Sequence, residues 1–237
     1  MVGVSLVSVV PELDVAGRPQ PTEQSVCLAG IFVGGQARRL GSVPKGLLRV
    51  PETGCTIVHR LSSNLGALGI ERTVLVGRHP AYLHLGWTII GDAQPGRGPM
   101  GGLLGLVRHA MKLGILQVLA IACDMPNLSA SLLRRLIREH READALVPER
   151  EHLEPLCARY RVAAVEPLLE HLLASGCYRM TSLLDALGRG CVHLALDQHE
   201  AAGLTDWDSP SDLPGDLRSQ LRLRSGGNPR DVTQRVG

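Results

Sequence analysis

Aromatic side chains are scarce in this 237-residue chain, with one Phe, two Trp and three Tyr. They are scattered (Phe32, Tyr82, Trp87, Tyr160, Tyr178, Trp207), which excludes an interleaved aromatic and basic platform for stacking single-stranded nucleic acid. Excess charge is missing too: 25 basic side chains face 23 acidic ones, a formal +2, which argues against a general nucleic-acid binder. Long apolar runs are absent. Val2–Val10 is apolar but has no basic stretch before it, is far shorter than a membrane span and is followed by Glu12 and Asp14, so neither export nor membrane insertion is expected. The six cysteines form no C-x-x-C pair and no Cys/His cluster at zinc spacing, and the nine histidines include no H-x-x-x-H pair with a nearby third ligand. Reduced, mostly buried thiols in a cytoplasmic protein are the expectation. Two common phosphate loops are also missing. No Gly-Lys-Ser/Thr follows four variable residues, and there is no G-x-G-x-x-G, so a Walker ATPase and a dinucleotide-binding dehydrogenase are both disfavoured.

What is present is a chain long enough to bury a full core as one α/β domain, read as residues 26–217 between a loose leader (1–25) and a basic, flexible tail (218–237). Short β-branched or apolar runs recur at 26–33, 72–76, 88–90, 118–122, 145–147 and 192–196, mostly separated by helical patterns at 56–68, 103–113, 132–140 and 162–173. Thr56 and Ser129 are N-cap candidates. This alternation predicts a Rossmann-like α/β fold, a mostly parallel sheet flanked by helices. Such sheets bind ligands at the carboxyl ends of their strands, which selects four segments: 34–45, 91–102, 123–126 and 206–212.

The first segment is the most informative. After the apolar run ending at Phe32 and Val33 comes Gly34-Gly35-Gln36-Ala37-Arg38-Arg39-Leu40-Gly41-Ser42-Val43-Pro44-Lys45-Gly46. Glycines let backbone N–H groups approach phosphate oxygens, while Arg38, Arg39 and Lys45 supply the countercharge that a polyphosphate needs. Asp124, in Ala122-Cys123-Asp124-Met125-Pro126, closes a buried apolar run. A carboxylate there either starts the turn before Pro126 or meets a divalent cation carrying nucleotide phosphates. Gly91-Asp92 through Gly101-Gly102 is rich in turn formers, and Asp206-Trp207-Asp208 forms an acidic pair ahead of Ser209-Pro210, which reads as a helix start.

Taken as G-G-x-x-x-R-x-G-x-x-x-K, with Arg39 and Lys45 in the fixed positions, the glycine-rich stretch resembles the signature loop of nucleotidyltransferases, above all the molybdenum cofactor guanylyltransferase family. Further segments fall in the family's order. Cys-Asp-x-Pro at Cys123–Pro126 matches its metal-binding aspartate, the 91–102 stretch resembles its Asp…Gly-Pro-Leu-Ala-Gly loop, 153–160 resembles its Pro-Leu-x-Ala-x-Tyr strand, and 206–213 resembles its Asn-x-Asn-Thr-Pro-Glu-Asp-Leu ending. The resemblance runs from about residue 28 to 213. It implies a nucleotide-diphospho-sugar transferase-like fold and transfer of GMP from GTP to molybdenum-loaded molybdopterin, with release of pyrophosphate. It also implies Mg2+ on Asp124, catalytic roles for Arg39, Lys45 and Asp124, and nucleotide contacts from Phe32, Val33, Gly34, Gly35, Lys45, Asp92 and Asp124; if the two strand ends converge, Asp208, where the family often has Asn, would assist Asp124 in holding the metal. Arg179, before a helical run, is a lesser candidate for an acceptor phosphate. The implied partners are GTP, molybdopterin and a molybdoenzyme or cofactor-assembly protein, with no nucleic acid and no membrane.

Departures from the family pattern are Ile31-Phe32-Val33 before the glycines, Pro44 ahead of the lysine, and Gly77 where an Asn often contacts the base. They keep open a cytidylyl- or sugar-phosphate nucleotidyltransferase and a non-catalytic nucleotide- or pterin-binding paralogue. The glycine pair 34–35 slightly favours a purine by widening the pocket floor.

Overall fold

The computed structural model describes residues 27–34, 44–215 and 217–218. The expected leader, most of the expected tail and residues 35–43 of the glycine-rich loop lie outside them. Seven strands, β1 (Cys27–Phe32), β2 (Thr73–Val76), β3 (Ile89–Ile90), β4 (Gln117–Ala122), β5 (Ala145–Glu149), β6 (Cys157–Arg161) and β7 (Cys191–Ala195), form one sheet in the order β3-β2-β1-β4-β6-β5-β7. All neighbours are parallel except β6, which runs antiparallel to both β4 and β5. The six predicted apolar runs are six of these strands, and the sheet is mostly parallel as expected.

Both faces of the sheet are covered, so its central strands are apolar on both sides. Along β1, Cys27, Ala29 and Ile31 enter a core with Ile57, Leu61 and Leu65 of α1 (Ile57–Ala67) and Leu132, Leu133 and Leu136 of α3 (Ala130–Arg138). Leu28 and Phe32 enter the other core, with α2 (Gly98–Lys112), α4 (Val162–Ala174) and α5 (Met180–Leu187). The period-two alternation of the strand thus divides its side chains between the two layers. Ser129 caps α3 as predicted, its Oγ accepting from the Leu132 amide at 3.1 Å. Thr56 occupies the N-cap position of α1, but its hydroxyl pairs with His59 Nδ1 at 2.6 Å instead of capping the backbone. A sixth helix, α6 (Gln198–Gly203), opens with a capping box between Asp197 and Glu200 and is tied to α3 by the Arg135–Glu200 ion pair at 2.6 Å.

Two sequence expectations need correction. The run 103–113 is helical from Gly98 onward, so Gly98–Gly102 form the first turn of α2 and are not part of the loop expected over 91–102. Packing overrides helix propensity here: a Cβ on Gly101 would sit 2.6 Å from the Gln94 carbonyl oxygen, and one on Gly105 would sit 2.5 Å from that of Gly91. The glycines let the helix press its backbone against the 91–94 segment that carries Asp92. Second, Ser209-Pro210 opens a turn and not a helix, because the Asp212 carboxylate accepts from the Asp208 and Ser209 amides (3.1 and 2.7 Å) and closes the chain on itself.

Candidate active site

The carboxyl ends of β1, β2 and β4 converge. Val33 donates its amide to Val76 O (2.9 Å), and Cys123 donates to Phe32 O (3.2 Å). The chain after β2 passes so close to Gly34 that a Cβ on Gly77 would lie 2.8 Å from the Gly34 nitrogen, and Gly77 holds φ at +98°. Glycine at 77, where the resembling family often has Asn, is what this close crossing requires.

Above this junction lies a cavity of about 620 Å³, large enough for a nucleotide. Phe32, Val33, Gly34, Lys45, Asp92 and Asp124, six of the residues picked out in the sequence, all line it. Gly35 and Arg39, with Arg38, fall outside the described residues. Pro44, Gly77 and the first turn of α2 (Gly98, Pro99, Gly102) complete its walls, so the amino end of a fifteen-residue helix faces the space. That end carries partial positive charge and free N–H groups. At the helix start the Arg97 guanidinium lies 4.5 Å over the Tyr178 ring, while Arg179 is exposed just before α5.

Lys45 is the centre of the site's charge. It begins a single 3-10 turn, Lys45–Leu47, and its Nζ reaches Asp124 Oδ2 at 3.1 Å and the Asp208 carboxylate as well. Burial works to lower the lysine pKa, but the hydrogen bonds and charges of Asp208 and Asp124 prevail and raise it, so the ammonium is held charged. The acidic pair 206–208 is brought in by main chain, since the Trp207 amide donates to Asp124 O at 2.9 Å and the Trp207 side chain is buried. Asp206 comes with it. Its carboxyl is pushed up to about 7 by burial and then by the charges of Asp124, Asp208 and Glu154, and its Oδ1 is buried without a hydrogen-bond partner. Burial alone raises the Asp92 carboxyl, which also lines the cavity.

Among the described residues three carboxyl groups therefore stand against one lysine, and the Oδ1 of one of them has no hydrogen-bond partner. Among the described residues no group of three or more His, Cys, Asp or Glu is gathered closely enough to hold a metal ion unaided. The oxygen-only donors suit Mg2+, which typically takes one or two carboxylates and completes its shell with water and substrate phosphates. Asp124 and Asp208 are the two carboxylates that could hold it.

One contributor had no signal in the sequence. Tyr82, in the 3-10 segment Pro80–Leu85 after β2, is 1% exposed, and its hydroxyl accepts from the Gly46 amide at 3.0 Å directly behind Lys45. A signal that was available is lysine scarcity, because Lys45 and Lys112 are the only lysines among 25 basic residues.

Residues 29–190 match the model of the MobA-like NTP transferase domain. A protein of Chloroflexus aggregans named probable molybdenum cofactor guanylyltransferase is 32% identical over 165 residues, 68% of this chain and 77% of that protein. A similarly named protein of Pelotomaculum thermopropionicum is 31% identical over 150 residues, 62% of this chain and 69% of its own length. Among solved structures, molybdopterin-guanine dinucleotide biosynthesis protein A from Archaeoglobus fulgidus superposes with a TM-score of 0.63 at 23% identity, covering 83% of this chain and 98% of that one. The 2-C-methyl-D-erythritol 4-phosphate cytidylyltransferase of Thermus thermophilus shares the fold at a TM-score of 0.54 and 16% identity, covering 83% of this chain and 98% of that one. With the match running from Ala29 within β1 through β6 and enclosing both Lys45 and Asp124, this chain belongs to the MobA-like NTP transferase family.

Proposed function

We propose that the protein is a molybdenum cofactor guanylyltransferase: it transfers GMP from GTP to the terminal phosphate of molybdenum-loaded molybdopterin and releases pyrophosphate. The observation that carries this reading is Lys45 set between Asp124 and Asp208 on the wall of a nucleotide-sized cavity at the strand ends. The names of the curated relatives supply the substrates.

In the reaction an oxygen of the acceptor phosphate forms a bond to the α-phosphorus of GTP, the bond from that phosphorus to the bridging oxygen breaks, and the electron pair leaves with pyrophosphate. The attacking oxygen is already anionic at neutral pH, so no general base is needed. Catalysis then rests on positioning and on neutralising charge. Lys45 supplies a fixed cation for the phosphates, and Arg39 of the same loop is proposed to join it. Asp124 and Asp208 would hold Mg2+, which when bound supplies positive charge to the triphosphate. The α2 amino terminus offers N–H groups to the same anion, and the Val33–Gly34 backbone and Asp92 are proposed to contact the nucleoside. We place the reaction in the cytoplasm. Among the described residues no helix is long and apolar enough to cross a membrane.

The test is pyrophosphate release from GTP, CTP, UTP and ATP with Mg2+, with and without loaded molybdopterin. Release requiring GTP, the pterin and Asp124 is expected. Release with CTP alone would move the protein to the cytidylyl branch, and silence with every nucleotide would overturn the enzymatic reading.

A further inference from the structure

The lysine of the site sits on a backbone turn that must itself be held. Lys45–Leu47 is only three residues long, and its internal bonds are Leu47 N to Pro44 O and Leu48 N to Lys45 O, both 2.9 Å. Neither ties the residue after the lysine to the rest of the molecule. That tie is the Gly46 amide, which donates to Tyr82 Oη at 3.0 Å across 36 residues of sequence. The approach is possible only because residue 46 has no side chain. A Cβ there would lie 2.7 Å from Val58 Cγ1, 2.9 Å from Tyr82 Oη and 3.2 Å from Cys123 Cβ. Cys123 immediately precedes Asp124, so the same contact locks the lysine turn against the strand end that bears the metal-site carboxylate. Tyr82 is itself fixed: its ring meets His79 edge-on at 5.7 Å, and His79 Nδ1 accepts from the Ala81 amide to start the 80–85 segment.

We infer that Tyr82 is a positioning residue for the transfer reaction, its buried hydroxyl setting the place of Lys45 relative to Asp124 through the Gly46 amide. This rests on the nucleotidyltransferase reading above and adds to it a residue that touches neither nucleotide nor metal. Without the hydroxyl, the Gly46 N–H is left with the Cys123 sulfur, a weak acceptor. The turn is then free to shift by fractions of an ångström, while the lysine keeps its charge and its reach. The chemical step depends on that placement more steeply than binding does.

Tyr82→Phe keeps the ring that fills the buried site and removes only the oxygen. With GTP, Mg2+ and loaded molybdopterin, kcat is expected to fall about 10- to 100-fold, with the KM for GTP within about threefold of the wild type. Combined with Lys45→Ala, the tyrosine change should cost nothing more, because there is no ammonium left to place. A second readout is independent of turnover. Lys45 and Lys112 are the chain's only lysines, so an acetylating reagent followed by mass spectrometry compares the site lysine with an exposed one. Lys45 should react more slowly than Lys112 in the wild type, and Tyr82→Phe should narrow that ratio about fivefold. An unchanged kcat, a loss that multiplies with that of Lys45→Ala, or an unchanged labelling ratio in folded Tyr82→Phe would each overturn the role. A wild type that releases no pyrophosphate would instead overturn the parent reading, leaving the labelling ratio to decide whether Tyr82 holds the lysine.

Discussion

Lys45 and Arg159 are both cations withdrawn from water beside the central strand β4, yet their surroundings differ in kind. The Arg159 side chain, on β6 and 1% exposed, donates to the main-chain carbonyls of Leu136 (2.7 Å), Glu139 (2.8 Å), Ile137 and His140. It closes the carboxyl end of α3, where carbonyls lack intrahelical partners and the helix dipole favours a positive charge. Burial lowers its pKa, but its donors are spent within the fold. Lys45 is held by two carboxylates, with a third beside them, Asp206, whose buried Oδ1 has no hydrogen-bond partner. A buried cation satisfied by backbone serves the structure. Among the described residues, part-buried Lys45 faces more carboxylates at the cavity than it pairs.

The comparison would break most visibly at Lys45 and Asp124. Replacing either with alanine should lower turnover by about a thousandfold or more, since the lost charge acts where the transition state develops it. Circular dichroism and melting should show the fold intact, and near-normal turnover in either variant would remove both roles. Arg159 should behave in the opposite way. Arg159→Met leaves several buried carbonyls without donors and should cost about 3 to 5 kcal/mol in urea unfolding. The fraction that remains folded should turn over at close to the wild-type rate, because no atom of Arg159 reaches the cavity lining.

How much of this could be read from the sequence follows the same division. The strands are legible because β-branched runs are bounded by turn formers, and Asp124 is legible because a carboxylate closing an apolar run is costly without a partner. The antiparallel setting of β6 carries no local signal, since strand direction is decided by what the connections allow. The start of α2 misleads for a different reason: Gly98-Pro99-Met100-Gly101-Gly102 has the composition of a turn, and only the approach of the 91–94 backbone explains why a helix is built from it. Helix α6 had a readable start in Asp197-x-x-Glu200, a capping box. Tyr82 had none, because its work is a contact between distant segments. The α2 reading makes a prediction with a definite sign. Alanine in place of a mid-helix glycine ordinarily gains about 1 kcal/mol, but at Gly105 the new Cβ would meet the Gly91 carbonyl oxygen at 2.5 Å. Gly105→Ala should therefore destabilise by about 1 to 3 kcal/mol, and a rise in melting temperature would show that the helix is free to move off the loop.

The smallest expected effect sharpens the contrast from the acidic side. If the surplus of carboxylates is a cost that the isolated fold bears, removing one charge without changing shape should stabilise the metal-free protein. Asp206 is the choice, because it is the member that Lys45 does not reach and whose Oδ1 has no partner. Asp206→Asn keeps the size of the side chain and removes its charge. The group is only half withdrawn from solvent, so screening reduces the gain to about 1 kcal/mol, equivalent to about 2 to 4 °C in the melting temperature of a chain this size. The measurement is a thermal melt in chelator at neutral pH, beside Arg159→Met, where loss of a charge moves the midpoint down. Opposite signs for the two variants would establish that the Arg159 charge is resolved by the fold and the Asp206 charge is not. A fall in the Asp206→Asn midpoint would mean that the carboxylate is already compensated within the chain, and that the acidic surplus is no argument for a cation.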